Sequence, residues 1–206
     1  MSLTCDYFVA PQSPYVYMGH ARFVELARRY DVQIQLKPMD LGKIFAGSGG
    51  LPLAKRTPQR QAYRLVELAR WSKHLGVPLN LQPKFFPVAG DPAARLIVAT
   101  QLAHGTDTAL DLLAGISRAL WTEERNIADE ATLQAIAEHL TLDGKALLAA
   151  SNGASVQATY DAHTDEAASV GAFGAPWFVF EGQPYWGQDR LDFLERAFAE
   201  ARDAKR

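Results

Sequence analysis

Strand-like patterning is confined to the two ends of this chain, and from Gln59 to Val170 the apolar residues recur at helical spacing instead. A strand repeats every two residues and a helix every 3.6, so the switch of period assigns the sheet to the ends and the middle to helices. Leu3 to Val9 is rich in β-formers, and the segment after Ser13 carries Tyr17, Phe23, Val24 and Ala27 on one helical face, ending near Tyr30-Asp31. Val32 to Leu36 alternates apolar and polar, and Lys37-Pro38 stops it, because proline lacks the N–H that a strand ladder needs. A right-handed crossover then makes these two strands parallel neighbours.

Leu41 to Pro58 differs in character, with four glycines and two prolines interspersed with Lys43, Lys55 and Arg56. It is expected to be a mobile surface segment whose cations suit an anionic ligand. Beyond it, Tyr63, Val66, Trp71 and Leu75 share a helix closed by Gly76-Val77-Pro78, and Pro83 to Pro92 is a turn-rich connector. Helices are expected at 93–104, 106–121 with Thr106 as N-cap, 129–140, 143–150 and 155–170, with Leu112, Ile116, Leu120, Leu133 and Ile136 as bundle core. Trp177 to Phe180 and Pro184 to Trp186 flank the turn signal Gly182-Gln183 as a hairpin, and Gly187 to Arg190 open a last helix bearing Leu191, Leu194, Ala197 and Phe198. The two ends therefore make one small mixed sheet, interrupted by an all-helical insertion.

The 206 residues suffice for one domain or one domain with a large insertion, and a net charge of -2 argues against nucleic acid as a partner. No apolar run is long enough for a membrane span. Met1 to Asp6 lacks signal-peptide regions and the last residues match no peroxisomal tripeptide, so the cytoplasm is the expected compartment. One cysteine, Cys5, excludes an internal disulfide and a Cys-x-x-Cys pair, and its place in a strand makes it a buried packing residue. The five histidines are scattered without ligand spacing, so no metal site is expected.

Ser13-Pro14 follows the first strand. Serine is a favoured N-cap and proline a favoured first helical residue, so the pair starts a helix. The unpartnered N–H groups and positive end of that helix also favour an anion, and a thiolate is an anion.

Four motifs in register carry a resemblance across nearly the whole chain: Ser13-Pro14-Tyr15, Ala119-Leu120-Trp121, Gly171-Ala172-Phe173-Gly174-Ala175-Pro176, and Trp186-Gly187-Gln188-Asp189-Arg190-Leu191. The chain resembles the glutathione-dependent 2-hydroxychromene-2-carboxylate isomerases, which are close relatives of kappa-class glutathione transferases and more distant ones of DsbA-type disulfide oxidoreductases. The resemblance implies an α/β fold, a DsbA-like thioredoxin-like mixed sheet with a large all-helical insertion. Residues 1–40 and 171–206 would form a discontinuous thioredoxin-like domain, and 41–170 the connecting basic loop and helical insertion.

The resemblance further implies glutathione as cofactor, held by Ser13, Pro14, Tyr15, Gly50, Ala175, Pro176, Gln188 and Asp189. Pro176 would be cis, the Ala175 backbone would pair with the cysteinyl unit, and the Asp189 carboxylate would match the γ-glutamyl ammonium. Ser13 stands where the disulfide oxidoreductases have a cysteine, and would activate the thiol of glutathione rather than act as a nucleophile. The implied reaction is cis-trans isomerisation between 2-hydroxychromene-2-carboxylate and trans-o-hydroxybenzylidenepyruvate in aromatic catabolism. A kappa-like transferase for small electrophiles and a non-catalytic glutathione-binding protein are the alternatives. The implied partner is a small aromatic carboxylate or electrophile, and the resemblance suggests a homodimer. Lys43, Lys55, Arg56 and Arg60 are candidates for the substrate's negative charge, Lys43 and Arg60 foremost. Ser48-Gly49-Gly50 departs from relatives that carry asparagine after the Ser-Gly, leaving only backbone at Gly50, and Trp177 is bulkier than expected.

Overall fold

The computed structural model describes residues 2–204. Strand β1 (Leu3–Val9) leads into helix α1 (Pro14–Arg29) and strand β2 (Val32–Pro38), and β1 and β2 pair in parallel from Leu3 opposite Val32 to Val9 opposite Pro38. The chain returns to the sheet at β3 (Trp177–Phe180) and β4 (Gln183–Trp186), which form an antiparallel hairpin. β3 also runs antiparallel to β1, giving the order β2-β1-β3-β4. The mixed sheet has the long helical block inserted between its second and third strands, and helix α9 (Leu191–Asp203) follows a 3-10 turn at Gln188–Arg190. This is the expected thioredoxin-like arrangement.

Inward-facing side chains explain why the two ends meet. Tyr7 of β1 stacks on Phe178 of β3 with ring centres 5.1 Å apart, and Phe23 of α1 lies 4.6 Å from both rings. On the other strand-helix interface Phe180 meets Phe198 of α9 at 4.7 Å. Aromatic groups of this size contribute most of the apolar area in a small core. One continuous core joins these rings to the helical block, where Leu112, Ile116, Leu120, Leu133 and Ile136 are all buried.

The insertion comprises α2 (Leu41–Ser48), a 3-10 turn at Leu53–Lys55, α3 (Pro58–Leu75), α4 (Asp91–His104), α5 (Thr106–Trp121), α6 (Glu130–His139), α7 (Gly144–Ser151) and α8 (Ala154–Ser169). Two local expectations fail. The supposed mobile segment from Leu41 begins with helix α2, because Asp40 caps it through Oδ1 to the N–H groups of Gly42 and Lys43 at 2.8 and 3.0 Å, and Ile44 is buried. Gly49 at φ +75° then ends it in the left-handed region that glycine adopts without steric cost. A cap and one buried contact outweigh two internal glycines, each costing about 1 kcal/mol. Thr106 is not the cap of α5 but its first residue, and Gly105 holds the cap position.

Helix α3 lies at the periphery. Only Leu68 among its residues is fully buried, and Tyr63 is 60% exposed. Lys37 ties β2 to its neighbours, its Nζ 2.8 Å from Asp6 and 2.6 Å from Glu166 of α8. No helix among the described residues is long and apolar enough to cross a membrane.

Candidate active site

β1 ends at Val9, and the turn Ala10-Pro11-Gln12 carries the chain to Ser13, whose N–H donates to Ala10 O at 2.9 Å. Ser13 has extended dihedrals, φ -77° and ψ 126°, and is the N-cap of α1. Its Oγ accepts from the Val16 N–H at 3.3 Å and donates to Ala175 O at 3.1 Å, 162 positions away in sequence. The side chain is 6% exposed, so both bonds are shielded from solvent. With Pro14 lacking an N–H, the Tyr15 N–H is the remaining donor of the first turn without a backbone partner among the described residues.

The Ala175-Pro176 peptide is cis. Pro176 O accepts from the Gly187 N–H at 3.0 Å, so the turn before β3 is joined to the turn before α9. Gly187 sits at φ +98°, and a Cβ there would come within 2.5 Å of Asp189 Oδ1. Three segments distant in sequence thus converge at the N-terminal end of α1: Ser13 to Tyr15, Ala175-Pro176, and Gly187 to Asp189. The Ala175 N–H makes no backbone hydrogen bond among the described residues, which leaves an unpaired donor beside Ser13.

The remaining expected residues are placed differently. Gln188 is 1% exposed and its side chain is turned inward: its Cβ lies against Gly19, and its Oε1 accepts from Arg22 Nη1 at 3.0 Å. It braces the turn against α1, leaving Asp189 as the side chain available from that pair. Asp189 itself is paired with Arg190 at 2.8 Å on the surface. Gly50 lies against Phe45, whose ring leaves no room for a Cβ. Lys43 points to α8, where its Nζ meets Asp161 at 3.0 Å. Arg60 is exposed in the first turn of α3, its N–H capped by Thr57.

Two side chains near Tyr15, Gln12 and Arg64, were not among the expected site residues. The Tyr15 phenol is pushed above its ordinary pKa chiefly by burial, against the opposing fields of Arg64 and Arg56. Arg64 lies over the rings of Phe86 and Trp121, at 5.0 and 5.9 Å. Its Nη2, Trp121 Nε1 and Gln12 Oε1 are all buried without a hydrogen-bond partner. The only sequence signal for Arg64 was its place four residues after Arg60, on the same helical face.

Two buried titratable groups outside the corner, His20 and Cys5, serve packing. His20 is buried: Leu110 O can only accept, so Nε2–H donates to it at 3.1 Å, and Nδ1 takes the Tyr7 hydroxyl at 3.3 Å. Burial lowers its pKa to about 4. The Cys5 thiol is buried and pushed far up, which keeps it protonated and inert. No cluster of potential metal ligands occurs among the described residues. Two surface clefts of about 410 and 460 Å³, one between α5 and α6 and one beside α1, β2 and α5, contain neither Ser13 nor Asp189.

Residues 4–199 match the model of the DSBA-like thioredoxin domain family. A 2-hydroxychromene-2-carboxylate isomerase of Sphingobium xenophagum is 30% identical over 95% of this chain and 97% of its own length. The chain belongs to the DsbA-like thioredoxin family, in its 2-hydroxychromene-2-carboxylate isomerase branch. Glutathione S-transferase kappa 1 of Homo sapiens is 25% identical over 96% of this chain and 91% of its own length. A solved 2-hydroxychromene-2-carboxylate isomerase superposes with a TM-score of 0.81 at 25% identity, covering 97% of this chain and 96% of the other. Dithiol-disulfide exchange needs a pair of cysteines, and this chain has a single one, the buried Cys5.

Proposed function

We propose that this protein is a glutathione-dependent cis-trans isomerase acting on 2-hydroxychromene-2-carboxylate and trans-o-hydroxybenzylidenepyruvate. The observation that carries the reading is the position of Ser13 Oγ, held between the first turn of α1 and the Ala175 carbonyl. When bound, glutathione supplies a thiolate that adds reversibly to a conjugated double bond, allowing rotation before it departs unchanged.

The residues fit such a cofactor. The unpaired Ala175 N–H is suited to a peptide running alongside it as an added strand would, and the Oδ1 of Asp189, whose Oδ2 meets Arg190, to an ammonium group. Ser13 has one hydroxyl proton, which here goes to Ala175 O. A sulfur at this corner would take that proton's hydrogen bond in competition with the carbonyl, while Val16 N–H keeps Oγ in place. A hydrogen bond and the positive helix end both favour thiolate over thiol, so the thiol pKa falls. Tyr15 N–H adds a further donor in the same turn.

The similarity to a kappa-class transferase supports a second reading, in which glutathione is conjugated to an electrophile and consumed. Thiol titration during turnover separates them. The isomerase reading expects substrate conversion with constant free thiol, and stoichiometric thiol loss would replace it by the transferase reading. If glutathione at millimolar concentration leaves the protein's melting temperature and fluorescence unchanged, both readings fail.

A further inference from the structure

We propose that Arg64, which lies over the rings of Phe86 and Trp121, anchors a carboxylate in a subsite beside the first turn of α1. The inference deepens the glutathione reading and rests on it for the chemistry next door. Arg64 is a partly buried cation with no ion pair among the described residues. Its Nη2 is sealed from solvent without an acceptor. Contact with two aromatic faces recovers only part of the hydration a guanidinium loses on burial, so folding alone does not account for the placement.

The nearby acids do not supply the missing partner. Glu67 and Asp189 are the carboxylates whose fields reach Tyr15, and each is paired with another arginine, Glu67 with Arg70 and Asp189 with Arg190. Arg56 adds a second guanidinium close enough to oppose the charge on Arg64. Its Nε donates to Leu51 O at 2.8 Å, a neutral acceptor that leaves its charge uncompensated. Trp121 is fully buried, and its Nε1 is a second donor without an acceptor. Two neighbouring guanidiniums, one of them lying over aromatic rings, suit a planar anion attached to a flat, apolar body. The fork of a guanidinium matches a carboxylate through two parallel bonds, which a lysine cannot do. Arg64 is thus a binding residue for charge, separate from Ser13, which acts on sulfur.

Two carboxylates could occupy the subsite: that of an aromatic acceptor substrate, or the glycyl carboxylate of glutathione. Binding to the intact protein separates them, read by fluorescence or calorimetry without turnover. One pair of probes is trans-cinnamate and trans-cinnamamide; the other is glutathione and glutathione amidated at glycine. The expected result is that wild-type protein prefers the acid over the amide by roughly tenfold or more in at least one pair. Arg64→Gln should erase that preference while keeping affinity for the amide, and Arg64→Lys should restore part of it. The pair that responds identifies the source of the carboxylate. Absence of acid preference in both wild-type pairs overturns the proposal, as does a preference that survives in folded Arg64→Gln; if that variant does not fold, an undiminished preference in Arg64→Lys overturns it. The cinnamate pair needs no glutathione, so a failure to bind glutathione would break the functional reading without deciding this one.

Discussion

The corner where Ser13, Ala175 and Gly187 meet and the wall formed by α3 differ in how their polar groups are satisfied. At the corner each named bond goes to backbone: Ser13 to Ala175 and Val16, Pro176 to Gly187. Behind it, the packed rings of Tyr7, Phe23 and Phe178 fix the strands and helix that present those groups. The α3 wall buries only Leu68 fully and carries Arg64, with Arg56 just before the helix, and neither arginine has an acidic partner among the described residues. A rigid corner suits a task that is the same at every turnover, the stabilisation of one sulfur. A more exposed, cationic wall suits a task that varies with the ligand.

Mutations can break or sharpen this division. Phe178→Ala removes a ring held between two others in the core behind the corner and should cost about 3–5 kcal/mol, read by denaturant unfolding. A cost near zero would mean that the corner does not depend on that core.

Acid should also act on the corner side first. His20 is buried neutral with a pKa lowered to about 4 from 6.5, so the unfolded chain binds its proton more readily. The stabilising contribution is present above pH 6.5 and is lost as pH falls toward 4, amounting to roughly 3 kcal/mol at most. His163, also held low by burial, adds to the same trend. His20→Asn should flatten the stability profile between those pH values by about one proton; an unchanged slope would assign the acid sensitivity elsewhere.

Ser13→Ala removes a cap and should lower stability by about 1 kcal/mol, with turnover falling by roughly one to two orders of magnitude as a hydrogen bond to a charged sulfur is lost. The reverse pattern, a large stability loss with turnover intact, would make Ser13 a structural cap alone. On the wall, Tyr63→Ala should leave stability within about 0.5 kcal/mol. Lys43→Ala should leave turnover unchanged, because its charge is directed at Asp161. A fall in turnover would return Lys43 to the site.

The same division governs what the sequence could disclose. The corner was legible because its determinants are local and distinctive: Ser-Pro at a helix start, Ala-Pro before a strand, and a glycine at positive φ before Gln188. Helix α2 was hidden by Gly42 and Gly47, which lower local propensity, whereas the features that form it are a cap at Asp40 and a contact made by Ile44 with distant chain. The inward turn of Gln188 depends on Arg22 and Gly19, more than 160 positions earlier, and no local pattern encodes such a pairing. Arg64 was illegible for a different reason. In sequence it is one arginine among several, and only the rings of Phe86 and Trp121 beneath it distinguish it from Arg60.

The central claim is that Ser13 and the start of α1 stabilise a thiolate supplied by glutathione. The direct measurement is the thiol pKa of bound glutathione, from thiolate ultraviolet absorbance across pH, in wild-type protein and in Ser13→Ala. The account predicts a pKa below the ordinary thiol value of about 8.5 in the wild type, rising by about one unit or more in the variant. Equal pKa values in the two proteins, with glutathione bound to both, would contradict it.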